Sequence, residues 1–404
     1  MLLTEPEKKL ILYIKEFPNF LSYFNFTFFA SVTSPILIEM GKTFNTDPRD
    51  LNILLFYFAL GSVAGRFSLL FYRNRFKSLN LIIFFNTILS GFVLVLYFIN
   101  SLLLFNIIYF ILGYILGINL ILASEFLMES AIKNKERLIT VSTFFVPVGA
   151  ISGFIISPYM IKKGGDWKNI YLIFLFEIFL MLMLYIFTIK KSGYSGLDKK
   201  DNVFRIIEIF RNIKIYKAFL ILCILMFFYV TSEFIMANWT PTFLRLQRSF
   251  DIQLAGLNSS VFWAAIAAGR IIFSFISVKL NYYKMILYFS IFALIFAILF
   301  LFIKTDYMIF ILTSLIGLSF SILWPFFFYL GSTYNKKGRN TLINVILLAS
   351  SAGTCMAPYL VKIVSKVNMN LSVAMVSFIF ILIIIFLLIL MNIKKKNPVL
   401  NDLF

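Results

Sequence analysis

Glu233, Asn238, Trp239, Thr240, Ser260, Trp263 and Arg270 interrupt two otherwise apolar runs between Phe228 and Arg270. An acid, an amide, hydroxyls, indoles and a guanidinium at this spacing suit reversible solute binding and proton loading. Each ionised group costs roughly 2.5–3.5 kcal/mol at the centre of a lone membrane helix. Such groups persist only where they face an interior, so these two runs require further helices around them.

Composition supplies those helices and excludes other chemistry. The 404 residues are 61% hydrophobic, 19% aromatic and only 14% charged. A soluble chain is about a quarter charged, so the solvent here is lipid. The formal charge of +19 sits in short clusters between apolar runs, a pattern that marks membrane orientation and not nucleic-acid binding. His is absent, which removes imidazole metal sites and Ser-His-Asp or Cys-His catalysis. Cys223 and Cys355 lie inside apolar runs without a ligand cluster, so neither a disulfide framework nor a metal site is expected. Nothing matches Gly-x4-Gly-Lys-Ser/Thr, so ATP is not the expected driving force, and no other cofactor is implied. A membrane enzyme needs acids, bases or ligands gathered at one interface, whereas the acids here are scattered about one per helix.

A membrane span takes about 20 mostly apolar residues. That rule predicts twelve helices, at approximately 18–40, 50–72, 79–98, 102–124, 139–161, 169–189, 215–241, 253–278, 283–303, 306–330, 340–362 and 370–391. Alternate segments, the two termini among them, hold 25 Lys plus Arg against 10 on the other side. The excess predicts that both termini are cytoplasmic, and the membrane expected is the cell (inner) membrane. The opening MLLTEPEKKLILYIKEFP is read as a cytosolic lead-in, without a signal-peptide core or cleavage site.

The expected organisation is a cytoplasmic N-terminus over 1–17, a six-helix half over 18–189, a basic linker over 190–214, a second half over 215–391 and a basic tail over 392–404. Within the linker, Asn202–Ile215 spaces its apolar residues as an amphipathic surface helix would, and a simply solvated basic segment fits as well. A repeat relates the halves. Gly65-Arg66 and Gly269-Arg270 are 204 residues apart, as are Gly113 and Gly317, Thr27 and Thr231, and Phe24 and Phe228. Pro158-Tyr159 and Pro358-Tyr359 are 200 apart, and Asn134-Lys135 and Asn335-Lys336 are 201 apart.

Two homologous six-helix halves are the plan of the major facilitator superfamily. Gly61-Ser62-Val63-Ala64-Gly65-Arg66, continued by Phe71-Tyr72-Arg73-Asn74-Arg75-Phe76-Lys77, resembles its loop motif between helices 2 and 3, with Asn74 where an Asp is usual. That departure leaves two roles for Arg66: part of a latch, or a side chain snorkelling to the inner interface. Tyr229-Val230-Thr231-Ser232-Glu233 with Asn238 to Leu244, Ser260 to Trp263 with Gly269-Arg270, and Gly317 to Pro325 are similar to helices 7, 8 and 10 of the fucose-permease-like branch, the fucose/glucose/galactose:proton symporters. Helix 1 departs from that branch: in Ser34-Pro35-Ile36-Leu37-Ile38-Glu39, Pro35 stands where an Asp is common.

The resemblance implies an all-α membrane protein moving a small solute, a sugar first, by alternating access with proton coupling, embedded in lipid and monomeric. Exporters of sugars or drugs, carriers of other organic solutes and a non-transporting receptor share the fold. A sugar site combines aromatic faces with neutral donors and acceptors. Asn25, Thr27, Asn119, Asn238, Trp239, Ser260, Trp263, Trp324 and Asn344 are the expected lining residues, with Ser31 and Thr143 also on the first half's helices. Trp239 has a second reading, in the outer aromatic belt. Glu233, Arg270, Arg66 and Glu125 are the expected coupling or gating groups, and a structural, paired carboxylate is the other reading of Glu233. Glu177 is expected to be structural.

Overall fold

The computed structural model describes residues 5–72, 78–130, 135–189, 213–276, 281–333 and 339–396. Among these residues all regular structure is helical. The first helices are α1 (Glu5–Thr33), α2 (Leu37–Phe44), α3 (Asn52–Tyr72), α4 (Ser78–Phe98), α5 (Leu102–Ser130), α6 (Lys135–Lys162) and α7 (Asn169–Leu184). After them come α8 (Ile213–Phe234), α9 (Thr240–Gln247), α10 (Ile252–Ile276), α11 (Tyr282–Phe302) and α12 (Asp306–Phe320). The last three are α13 (Leu323–Thr333), α14 (Arg339–Val367) and α15 (Met369–Lys396).

Twelve stretches are long and apolar enough to cross a membrane, from Glu16–Phe44 to Met369–Lys395. They are the twelve expected spans, with ends shifted by a few residues. Three spans are built from two helices each. α1 passes to α2 through a 3-10 turn at Ser34–Ile36, α8 passes to α9 through a π-helical turn at Ile235–Trp239, and α12 gives way to α13 after Phe320. The expected lead-in over 1–17 is part of α1 from Glu5 onward. The linker reading over Asn202–Ile215, the basic loop Arg73–Lys77 with Asn74, and the end of the tail lie largely or wholly outside the described residues.

The chain divides into two compact units: residues 1–47 with 57–199, and residues 48–56 with 200–404. In the first, α1 packs along α6 and also meets α5 and α7, while α4 packs on α5 and α7. In the second, α8 packs along α14 and α15, α10 along α12, and α11 along α12 and α15. The segment 48–56 belongs to the second unit, where Asp50 pairs with Lys366 at 2.7 Å and with Lys362 at 3.6 Å.

Helix association in lipid relies on small residues that bring backbones together. Cβ atoms added at Gly61 and Gly65 of α3 would overlap the backbone carbonyls of Phe110 and Tyr114, and at Gly113 of α5 the carbonyl of Phe58. The repeat recurs at this level. Gly149 of α6 sits against Phe24 and Thr27 of α1, and Gly353 of α14 sits against Phe227 and Thr231 of α8. Thr27 Oγ1 donates to Val146 O at 2.8 Å, and Thr231 Oγ1 reaches Gly353 O at 3.4 Å.

Candidate solute and proton site

The polar residues of the second unit gather where its first span breaks. Pro241 has no N–H to give to the carbonyl four residues back, that of Ala237. Ser259 Oγ of α10 donates to that carbonyl at 2.7 Å, so the freed acceptor is satisfied by a neighbouring helix. The π-helical turn Ile235–Trp239 absorbs the extra residue ahead of the proline, and turns of this kind cluster at functional sites. A 204-residue offset carries the 3-10 turn Ser34–Ile36 onto Asn238–Thr240, so both units interrupt their first span at matching positions.

Glu233 lies two residues before the π-helical turn. The Tyr229 hydroxyl, one helical turn away on the same face, donates to Glu233 Oε1 at 2.5 Å. The same hydroxyl lies 3.3 Å from the carbonyl of Phe320, the last residue of α12 before the break in that span. Arg270 of α10 is close enough to act electrostatically on both Tyr229 and Glu233, and its Nε is buried without a partner. The structure therefore brings Glu233 and Arg270 together through Tyr229, which sequence reasoning left out of the site. The Tyr229/Glu233 spacing of four was the available signal.

This cluster can exist in two hydrogen-bonded forms. With Glu233 ionised, the phenol donates to the carboxylate and the guanidinium balances its charge. With Glu233 protonated, the carboxyl O–H can donate to the phenol oxygen, which frees the phenol hydrogen for the Phe320 carbonyl.

The other expected lining residues of this unit divide by their bonds. Trp239 is fully buried, and its Nε1 donates to Ser372 Oγ of α15 at 2.6 Å, the arrangement of a packing residue. Neither a place in an aromatic belt nor an exposed solute platform fits that burial. Trp263 is half-buried with its Nε1 unpartnered, and Trp324, also half-buried, stacks on Phe328 with centroids 5.0 Å apart. Asn238 is buried in the π-helical turn, and Ser260 Oγ donates to Gly256 O at 3.2 Å. Asn344 lies on α14 with its side chain outside the described residues.

In the first unit, Arg66 stands over the Phe26 ring at 5.5 Å and acts on Tyr23, whose hydroxyl is 2.6 Å from Ser124 Oγ. Glu125, the next residue of α5, is half-buried. Thr27 spends its hydroxyl on the α6 backbone. Asn119 Nδ2 donates to Asn86 Oδ1 of α4 at 2.9 Å, which ties two helices together. Asn25 turns its amide nitrogen to Met181 Sδ of α7 at 3.4 Å. A cavity of about 150 Å³ in the second unit, lined by Asn281, Tyr283, Tyr329 and Lys394 among others, contains none of the expected site residues.

The family model described as Major Facilitator Superfamily matches residues 20–358. The chain is 24% identical over 343 residues to a protein named "Protein TsgA homolog" from Buchnera aphidicola subsp. Schizaphis graminum, covering 83% of this chain and 86% of that one. It is 24% identical over 339 residues to "Glucose/mannose transporter GlcP" of Bacillus subtilis, covering 81% of each. A crystal structure of a D-xylose-proton symporter superposes with a TM-score of 0.74 at 12% identity, over 93% of this chain and 97% of that one. At that identity the likeness is one of fold.

Proposed function

The chain belongs to the Major Facilitator Superfamily, and from that premise we propose that this secondary active transporter carries a sugar together with a proton. The observation that carries the proton part is the Glu233–Tyr229–Arg270 cluster beside two span breaks. The sugar part draws on the similarity to the glucose/mannose transporter and on the half-buried indoles Trp263 and Trp324. Trp263 offers an unpartnered N–H to a hydroxyl, and Trp324 an aromatic face to a sugar ring.

In this reading the coupling acid works through its phenol. Proton binding at Glu233 removes the charge that Arg270 balances and transfers the Tyr229 hydrogen bond to the α12 end. Proton release reverses both. The unit then alternates between two local arrangements of the α8 and α12 breaks, which is the two-state element that alternating access needs. The working form is a monomer in the cell membrane, with six-helix halves at 18–189 and 215–391 and both termini cytoplasmic.

Counterflow in proteoliposomes tests the substrate. Radiolabelled glucose or mannose is expected to enter vesicles preloaded with the same sugar, and unlabelled sugar outside is expected to compete. If no sugar supports counterflow or competes for binding, the sugar reading is lost.

A further inference from the structure

The first unit holds an acid with no counterpart to the Glu233 cluster. α7 and the turn that follows it place Glu177, Met181 and Tyr185 at four-residue spacing, one above another on one face. α1 places Glu16, Asn19, Ser22 and Asn25 at three-residue spacing, all four at most 1% exposed. The two rows meet along their length. Asn19 Nδ2 donates to Glu16 Oε2 at 2.7 Å, and the Tyr185 hydroxyl donates to Asn19 Oδ1 at 3.0 Å. Ser22 Oγ lies 3.2 Å from the Tyr185 hydroxyl, and Ser22 and Asn25 reach Met181 Sδ at 3.8 and 3.4 Å.

At the inner end of this seam Asn25 faces Glu177. Both carboxyl oxygens of Glu177 and the Asn25 Oδ1 are buried without a hydrogen-bond partner. Asn25 Nδ2 gives one hydrogen to Met181 and keeps a second that a Glu177 carboxylate can accept. A Glu177 carboxylic acid can in turn donate to the unpartnered Asn25 Oδ1, so this pair accommodates both protonation states. Among the described side chains, the packed elements place no opposite charge beside Glu177. α4 has no acid or base from Ser78 to Leu96 and only Tyr97 beyond, while Tyr171 of α7 is bonded to Tyr109 of α5. Tyr23 of α1 is held by Ser124, and Glu16 lies at the far end of the seam.

We propose that Glu177 is a proton-binding site of the first unit, exchanging its proton along the α1–α7 seam toward the end marked by Glu16. Binding forms one O–H bond on Glu177 from a water proton, and release returns that proton to water. The Asn and Met side chains carry no acidic proton, so they line the route, and the hydroxyls of Ser22 and Tyr185 are its exchangeable groups. What the proton is used for rests on the transporter reading; its binding does not.

Infrared difference spectroscopy of the purified, lipid-reconstituted chain tests this without any substrate. The carbonyl stretch of a protonated buried carboxyl should appear and disappear reversibly with pH. It should be lost in Glu177→Gln, shifted in Glu177→Asp and retained in Glu233→Gln. Its shift on transfer to heavy water should slow in Tyr185→Phe. If Glu177→Gln and Glu177→Asp leave the carboxyl bands unaltered, or if the Glu177 band never changes over the pH range of the folded protein, Glu177 is not an exchanging site. A titrating band in a protein that fails sugar counterflow would overturn the sugar reading and leave this one standing.

Discussion

An indole in a membrane bundle can pack or bind, and its N–H separates the two. Trp239 gives its N–H to Ser372, so Trp239→Phe should lower stability by about 1 kcal/mol, the worth of one hydrogen bond, and leave solute affinity unchanged. Trp263, whose N–H has no partner, should behave oppositely: Trp263→Phe should weaken sugar binding and leave the melting temperature near that of the parent. Thermal unfolding and sugar competition, run on both variants, check the pair. Glu233 and Tyr229 are separated by the same logic. Glu233→Gln should retain counterflow and lose its dependence on pH, because exchange needs no net proton movement. A Glu233→Gln protein with an unchanged pH profile would remove that acid from coupling. Tyr229→Phe should keep the acid but disconnect it from the Phe320 carbonyl, so uphill uptake should fall more than counterflow does.

At the scale of helices, close approach and its absence predict opposite results for the same substitution. Gly61→Ala and Gly113→Ala would push a methyl group into the backbone of the facing helix, and overpacking of this kind costs about 1–3 kcal/mol. Gly91→Ala on α4 meets nothing within 4 Å and should be neutral, or stabilising by up to about 1 kcal/mol. Melting curves of the three variants would decide, and a destabilised Gly91→Ala would count against the packing. Elements were readable from sequence because a span must bury some twenty apolar residues, and the 204-residue offset recurs in the Gly149 and Gly353 contacts. The breaks were not. Pro35 and Pro241 were visible, but whether a proline yields a 3-10 turn, a π-helical turn or a kink depends on a neighbour such as Ser259. Polar side chains fared similarly. Thr27 has the chemistry of a sugar site, yet a helix contact uses its hydroxyl, whereas Asn119 gives its nitrogen to Asn86 and keeps its Oδ1 unpartnered. The row Glu16, Asn19, Ser22, Asn25 was present as a three-residue period, but its meaning depends on the Glu177, Met181, Tyr185 row packed against it.

For the whole molecule, coupling fixes a ratio that no single side chain does. One pH unit across the membrane is worth about 1.36 kcal/mol per proton, which equals a tenfold solute gradient. With the membrane potential clamped at zero, a carrier moving one proton with each sugar should therefore accumulate sugar about tenfold for each pH unit of acid-outside gradient. A uniporter would equilibrate at a ratio of one whatever the gradient. An exporter exchanging sugar for protons would deplete the interior by the same factor. Proteoliposomes with a defined orientation, labelled hexose and an imposed pH step distinguish the three outcomes. The Glu233→Gln chain serves as the internal control, since it should equilibrate like a uniporter in the same vesicles. Accumulation in that variant matching the parent would mean that the driving proton travels elsewhere, and the Glu177 seam would be the next place to test.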